Sequence, residues 1–178
     1  FGLWIPFKAL VAQEMLELAW AESQARQSEA RPWPWADTWP VAKLDIPEQG
    51  VSMIVLEGVH GESLAFGPGR VPGSEGPGAP VVLAGHRDTH FRHLQHLEPG
   101  DAVRLQGMDR QWRRYQVTAT RVVDSSRESL DTRSLARDTL VLITCYPFDS
   151  LDASGPLRYV VEAKPAYGME QIDTVAAL

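Results

Sequence analysis

Three side chains at the margins of apolar runs offer covalent chemistry. The only cysteine among 178 residues, Cys145, closes the run Leu140-Val141-Leu142-Ile143-Thr144-Cys145, and a histidine closes another, Val81-Val82-Leu83-Ala84-Gly85-His86. A free thiol is only a few per cent thiolate near neutral pH, so a nearby imidazole that takes or shares its proton turns it into a nucleophile. Arg158 stands near the start of a third run, Gly155-Pro156-Leu157-Arg158-Tyr159-Val160-Val161. Acyl transfer builds negative charge on the carbonyl oxygen, and a donor positioned there is worth about 3 kcal/mol of barrier. Taken singly, a strand-end cysteine is more often a small core hydrophobe and an arginine more often a surface ion-pair partner. Together, nucleophile, base and fixed cation point to acyl transfer by a cysteine enzyme.

The elements that must position this triplet are mostly strands. Short β-type runs separated by Gly, Pro and Asp cover Val41 to Ile46, Val51 to Leu56, Val81 to Gly85, Ala102 to Gln106, Gln111 to Val123, Leu140 to Thr144 and Tyr159 to Ala163. Such spacing predicts a mainly β chain, a closed antiparallel barrel whose rim brings distant strand ends together. Ahead of it, Phe7, Leu10, Val11, Met15, Leu18 and Ala19 recur at helical spacing from about Ile5 to Glu29, with Pro6 in the first turn. This predicts a long amphipathic helix that packs on the main domain, since its polar face mixes Glu, Gln and Arg. Pro32-Trp33-Pro34-Trp35 and Trp39-Pro40 then form an extended strap. The expected division is 1–40, helix and strap, and 41–178, barrel. The Gly- and Pro-rich stretch from Gly67 to Pro80 reads as an irregular surface loop near the site, and the connection Asp124 to Asp138 as a groove border with a short helix around Arg127 to Leu135.

Composition excludes some partners. A formal charge of −6 and the lack of a basic cluster argue against nucleic acid, leaving proteins or peptides. A lone cysteine cannot form an internal disulfide, and no run reaches the roughly 18 apolar residues of a membrane span. The chain starts at Phe1 rather than methionine, which leaves open a removed leading segment with room for a membrane anchor.

The residues resemble a known family, the sortases. Their nucleophile ends a Thr-Leu-x-Thr-Cys strand, here Leu142-Ile143-Thr144-Cys145, with Val141 where the first Thr usually stands. The likeness extends to Gly67-Pro68-Gly69, to Gly85-His86-Arg87-Asp88-Thr89-His90-Phe91 and to Leu157-Arg158-Tyr159, covering nearly all of the chain from Val41 onward. The Ala-Gly-His-Arg-Asp-Thr-His-Phe form and the Cys-Tyr-Pro-Phe ending look most like class D sortases and the related Gram-negative enzymes of proteobacteria. The resemblance implies a sortase-like barrel of about eight strands and a transpeptidase with no cofactor. It implies a secreted protein substrate bearing a Leu-Pro-x-Thr-Gly-like signal near its carboxyl end, cut between Thr and Gly, and an amine acceptor. Cys145 would be the nucleophile, His86 the acid and base, Arg158 the holder of substrate backbone and oxyanion, and Thr144 a hydroxyl contact to the bound signal. The enzyme would face the periplasm from the inner membrane, or alternatively sit on a Gram-positive cell surface.

Other readings compete. His86, His90, His93 and His96 fall at helix-like intervals, but the glutamate of His-Glu-x-x-His and a second cysteine are lacking, so no metal is expected. Asp88 is read as a capping carboxylate rather than a catalytic one. Asp124, Glu128, Asp131 and Asp138 are read as solvated rather than as calcium ligands. A peptidoglycan-directed cysteine hydrolase or L,D-transpeptidase lacks its Ser-x-Gly-Cys motif here. A non-catalytic binding barrel with a buried Cys145 would resist thiol reagents.

Overall fold

A computed structural model describes residues 2–74, 76, 78–152 and 154–166. Helix α1 (Trp4–Arg26) is followed by strands β1 (Pro40–Ile46), β2 (Val51–Glu57), β3 (Gly69–Arg70), β4 (Val81–Ala84), β5 (Ala102–Gln106), β6 (Trp112–Asp124), β7 (Leu140–Cys145) and β8 (Leu157–Pro165), with a one-turn helix, α2 (Gly61–Leu64), between β2 and β3. The strands close into a barrel in the order β1-β2-β3-β4-β7-β8-β6-β5.

The barrel is closed and eight-stranded as expected, but it is not wholly antiparallel. β2 pairs parallel with β3, and β4 pairs parallel with β7, Val81 opposite Leu140 through Ala84 opposite Ile143. An antiparallel β4–β7 pair would send His86 and Cys145 to opposite ends of the barrel. The parallel pair delivers both to one end.

β3 is a strand inside the stretch expected to be irregular. Leu56 N donates to Pro68 O at 2.9 Å and Gly58 N to Arg70 O at 3.0 Å, so the Gly67-Pro68-Gly69 backbone lies hard against β2. A Cβ on Gly69 would overlap the Gly58 carbonyl oxygen, which is why glycine stands there. Gly78 is not beside the site: Asp138 N donates to its carbonyl oxygen at 3.2 Å, which holds it near the starts of β4 and β7, the barrel end opposite His86. The connection 124–138 holds no α-helix, only a turn in which Arg127 N and Glu128 N donate to Asp124 O and a short 3-10 turn, Thr132–Ser134, with Asp131 accepting from Arg133 N.

Strand alternation sorts the apolar residues onto two faces. Leu83, Leu140, Leu142, Val161 and Ala163 point inward to the main core with Leu44, Ile46, Val103, Phe91 and Leu94. Val82, Val141 and Val160 point outward, packed with Val71, Val123, Leu130, Leu135 and Ile143. This second cluster lies beneath the 124–138 connection and forms an apolar floor on the outside of the barrel.

Helix α1 uses only its second half for packing. Leu16, Ala19, Trp20 and Ser23, spaced at one helical face, are buried, and Leu16 and Trp20 pack on Ile54 and Leu56 of β2. Of the expected face only Ala19 is buried: Phe7, Leu10, Val11, Met15 and Leu18 are exposed, as are Leu3, Trp4 and Ile5. The first turns are apolar nearly all round, so periodicity there selects no single face.

Candidate active site

Register places the triplet side by side. β7 lies between β4 and β8. Cys145 is directly opposite Arg158 in the antiparallel β7–β8 pair. On the other side, Gly85 N extends the β4–β7 ladder by donating to Ile143 O at 3.1 Å, which brings the next residue, His86, level with Cys145. Neighbouring strands run about 4.8 Å apart, so imidazole, thiol and guanidinium belong to three adjacent strands in the order His86, Cys145, Arg158. Parity also agrees: Cys145 follows outward Val141 and Ile143, and Arg158 precedes outward Val160. All three therefore belong to the outer face of the barrel end, above the apolar floor. Cys145 is free and half-buried, and His86 is exposed.

Arg158 is held by its own strand entrance. Its Nη1 donates to Gly155 O at 2.6 Å and to Leu157 O at 2.8 Å, which fixes the guanidinium plane. Nε and Nη2 have no hydrogen-bond acceptor among the described residues and remain as donors for a ligand. A cavity of about 170 Å³ opens here, bounded by Arg158, Ile143, Val160, Val123, Leu130 and Glu128. A larger cavity, about 630 Å³, opens at the other end of the barrel around Val41, Val55, Val81, Leu105 and Tyr115. It contains none of the triplet, whereas Arg158 lines the smaller one and Cys145 lies directly opposite Arg158 in the β7–β8 pair.

Thr144 differs from the expectation of a contact to a bound signal. It is 2% exposed, on the inward face, and its hydroxyl donates to Gly85 O at 2.7 Å. The bond ties the end of β7 to the residue before His86. The His86 carbonyl in turn accepts from Phe91 N at 3.0 Å, closing a tight turn over the buried Phe91 ring. A Cβ on Gly85 would come within 2.9 Å of that ring, so the approach requires glycine. His90 stands near His86 in this turn; burial first, then the His86 charge, lower its pKa from the usual 6.5. Imidazolium at His90 is thereby disfavoured.

Sequence reasoning missed Arg87. It is 4% exposed and donates from Nη1 to Pro147 O at 2.8 Å and from Nη2 to Ser150 O at 2.7 Å, across to the β7–β8 connection. Nothing in its sequence context distinguishes it from a solvated arginine. The aromatic residues of the Cys-Tyr-Pro-Phe ending pack here: Phe148 lies edge-on against Tyr159 at 5.2 Å and Tyr146 stacks with Tyr159 at 6.1 Å.

Comparison with known proteins agrees with this geometry. A sortase domain matches residues 44–166, which includes every residue of the triplet. The chain is 35% identical over 123 residues to a protein named Sortase D from Bacillus subtilis (strain 168), covering 68% of this chain and 61% of that protein. Among solved structures it is similar to sortase C-1 of Actinomyces oris, at 28% identity and a TM-score of 0.60 over 72% of this chain and 75% of that one. It also matches a Clostridium perfringens Sortase D5 transpeptidase in fold, at 22% identity and a TM-score of 0.64 over 88% of this chain and 98% of that one. With the closed barrel, the outward nucleophile and a match across more than two thirds of its length, the chain belongs to the sortase family.

Proposed function

We propose that the protein is a cysteine transpeptidase that cuts a Leu-Pro-x-Thr-Gly-like sorting signal between Thr and Gly and transfers the acyl part to an amine. The observation that carries this reading is the direct Cys145–Arg158 pairing, with His86 brought level by the parallel β4–β7 ladder. Cys145 Sγ, as thiolate, attacks the Thr carbonyl carbon. The oxygen that gains charge meets the Nε and Nη2 donors of Arg158, which the Nη1 bonds already aim. The tetrahedral species collapses as His86 gives a proton to the departing glycine nitrogen, leaving a thioester on Cys145. An incoming amine loses a proton to His86, attacks the thioester and restores the thiolate. Water in place of the amine yields only release, so the product depends on which nucleophile reaches the thioester.

The apolar cavity lining of Val123, Leu130, Ile143 and Val160 supports binding of the Leu and Pro of such a signal, beside the cation that holds its backbone. Thr144 acts in this reading through Gly85, as a positioning residue rather than a substrate contact. The likeness to Sortase D supports the class D part of the motif resemblance. That relative, from a Gram-positive species, favours a cell-surface setting over the periplasm that the motif form alone brings forward. No described helix is long and apolar enough to cross a membrane. The exposed Trp4, Ile5, Phe7 and Leu10 of α1 are a surface that a bilayer would accept, which supports attachment outside the cytoplasmic membrane.

The test is a signal-peptide library with a small amine, followed by intact mass, run beside Cys145→Ala, His86→Ala and Arg158→Ala. Cleavage after Thr with the acyl fragment on Cys145, lost in all three variants, is the expected result. A wild-type thiol that resists alkylation and takes no acyl group refutes the reading in favour of a binding barrel.

A further inference from the structure

We propose that Arg87 is a positioning residue that latches the β7–β8 connection, residues 146–156, to the His86 turn and thereby sets the groove wall beside Cys145. What the groove binds rests on the function proposed above; the latch itself rests on geometry. The Arg87 side chain is 3% exposed although His86 before it and Asp88 after it are both exposed. Burial of a guanidinium is costly, and the carboxylate that pairs with it, Asp88, is 70% exposed and lies 3.5 Å from Nε, where it makes no hydrogen bond. What the cation holds instead is backbone: Pro147 O and Ser150 O, one on each Nη. The two nitrogens of a planar fork have a fixed separation, so they specify the spacing of two carbonyls three residues apart.

The connection has little else to fix its middle. Its ends are tied by Tyr146 N to Leu157 O, by Arg158 to Gly155 O, and by Ser125 to Pro156 O. Between them, the other hydrogen bonds of Pro147 to Asp152 among the described residues are local, such as Ser150 N to Pro147 O and the Ser150–Asp152 pair. Asp152 is held below its ordinary carboxylate pKa, first by the Ser154 hydroxyl and amide, with the Arg87 charge adding. Phe148 anchors the segment to the core, but a ring contact tolerates rotation where paired hydrogen bonds do not. Arg87 thus couples the backbone that carries the acid and base to the segment that follows the nucleophile.

The test uses the whole chain with Arg87→Met, which keeps length and loses the donors, and Arg87→Lys, which keeps charge but offers a single nitrogen. Amide hydrogen exchange is followed together with steady-state cleavage of a signal peptide and iodoacetamide labelling of Cys145. The latch predicts exchange in 146–156 faster by about tenfold in Arg87→Met, with β1, β5 and β6 unchanged. It predicts a KM raised about tenfold with a smaller change in kcat, Arg87→Lys falling between, and labelling within about twofold of wild type. Exchange in 146–156 that stays at the wild-type rate overturns the proposal. So does a rise spread evenly over the barrel strands, which marks Arg87 as a general stability residue. If wild type cleaves no signal peptide, the substrate reading fails while the exchange comparison still decides the latch.

Discussion

Replacing Thr144 by valine separates two roles that the same residue can play in a site of this kind. The Thr144 hydroxyl is buried and donates to Gly85 O at 2.7 Å, one residue before His86. Valine keeps the branched shape and removes the donor, leaving the Gly85 carbonyl without this partner inside the barrel. An unsatisfied buried polar group costs about 1–3 kcal/mol. For a chain of this size each kcal/mol lowers Tm by about 2–4 °C, so the expected drop is about 2–12 °C. Because the displaced carbonyl carries His86, the imidazole shifts relative to Cys145, and kcat is expected to fall about tenfold, the equivalent of about 1.4 kcal/mol. Thr144→Ser keeps the hydroxyl and is expected to recover most of kcat. The assay is thermal and denaturant unfolding of the three proteins beside kcat and KM for peptide cleavage. An unchanged unfolding midpoint with a raised KM alone refutes the reasoning, because the hydroxyl would then be a substrate contact.

Gly69→Ala is expected to cost about 3 kcal/mol, since its Cβ meets the Gly58 carbonyl oxygen, which is backbone and cannot swing away. Gly61→Ala, in open space within α2, should be neutral or slightly stabilising; equal unfolding midpoints for the two variants would refute the close β2–β3 approach. The depressed His90 pKa makes stability pH-dependent in a defined direction. The unfolded chain takes a proton near pH 6.5 and the folded chain only below it, so stability is full above pH 6.5 and declines as pH falls through the folded value. His90→Phe should flatten that stretch of the denaturation profile, and an imidazole that titrates above 6.5 by NMR would sink the idea. Arg158→Lys removes the fork that Gly155 and Leu157 orient, and kcat should fall about a hundredfold with KM changed less; a KM effect alone would make Arg158 a binding residue only.

What the sequence made legible follows from how local each signal is. The runs of β1, β5 and β7 lie within a residue of their observed limits because alternation or apolar runs between turn residues specify strands locally. β3 was hidden because two residues, Gly69 and Arg70, carry no periodicity, and their strand exists only through contact with β2 and β4. The same holds for the parallel β4–β7 pair, whose partners lie 59 residues apart, as Val81 and Leu140 do, and whose direction no local pattern encodes. In α1 the apolar residues of the first turns point in too many directions for spacing to choose the buried face, and β2 chose it instead through Leu16 and Trp20. Thr144 is different: its inward orientation is available from the sequence, since neighbours in a strand face opposite ways and a nucleophilic Cys145, as proposed, faces outward.

That last point also decides between an enzyme and a binding barrel. A cysteine recruited as a core hydrophobe belongs at the inward positions of β7, with Leu140, Leu142 and Thr144. Cys145 instead takes the outward register of Val141 and Ile143, half-buried, where its small thiol fills no core space. Core packing therefore does not explain it, whereas the proposed attack on a bound carbonyl accounts for it, since the outward position is the one shared with Arg158 across the β7–β8 pair. The sequence could not reveal that face until β7 was placed between β4 and β8. Once it is, the registers that hold the barrel together and the registers that align Cys145, Arg158 and His86, the proposed nucleophile, cation and base, are the same ones. Substitutions that slip β7 by one residue against β8 should then abolish acyl transfer and core packing together, since every inward leucine would turn outward with the same step.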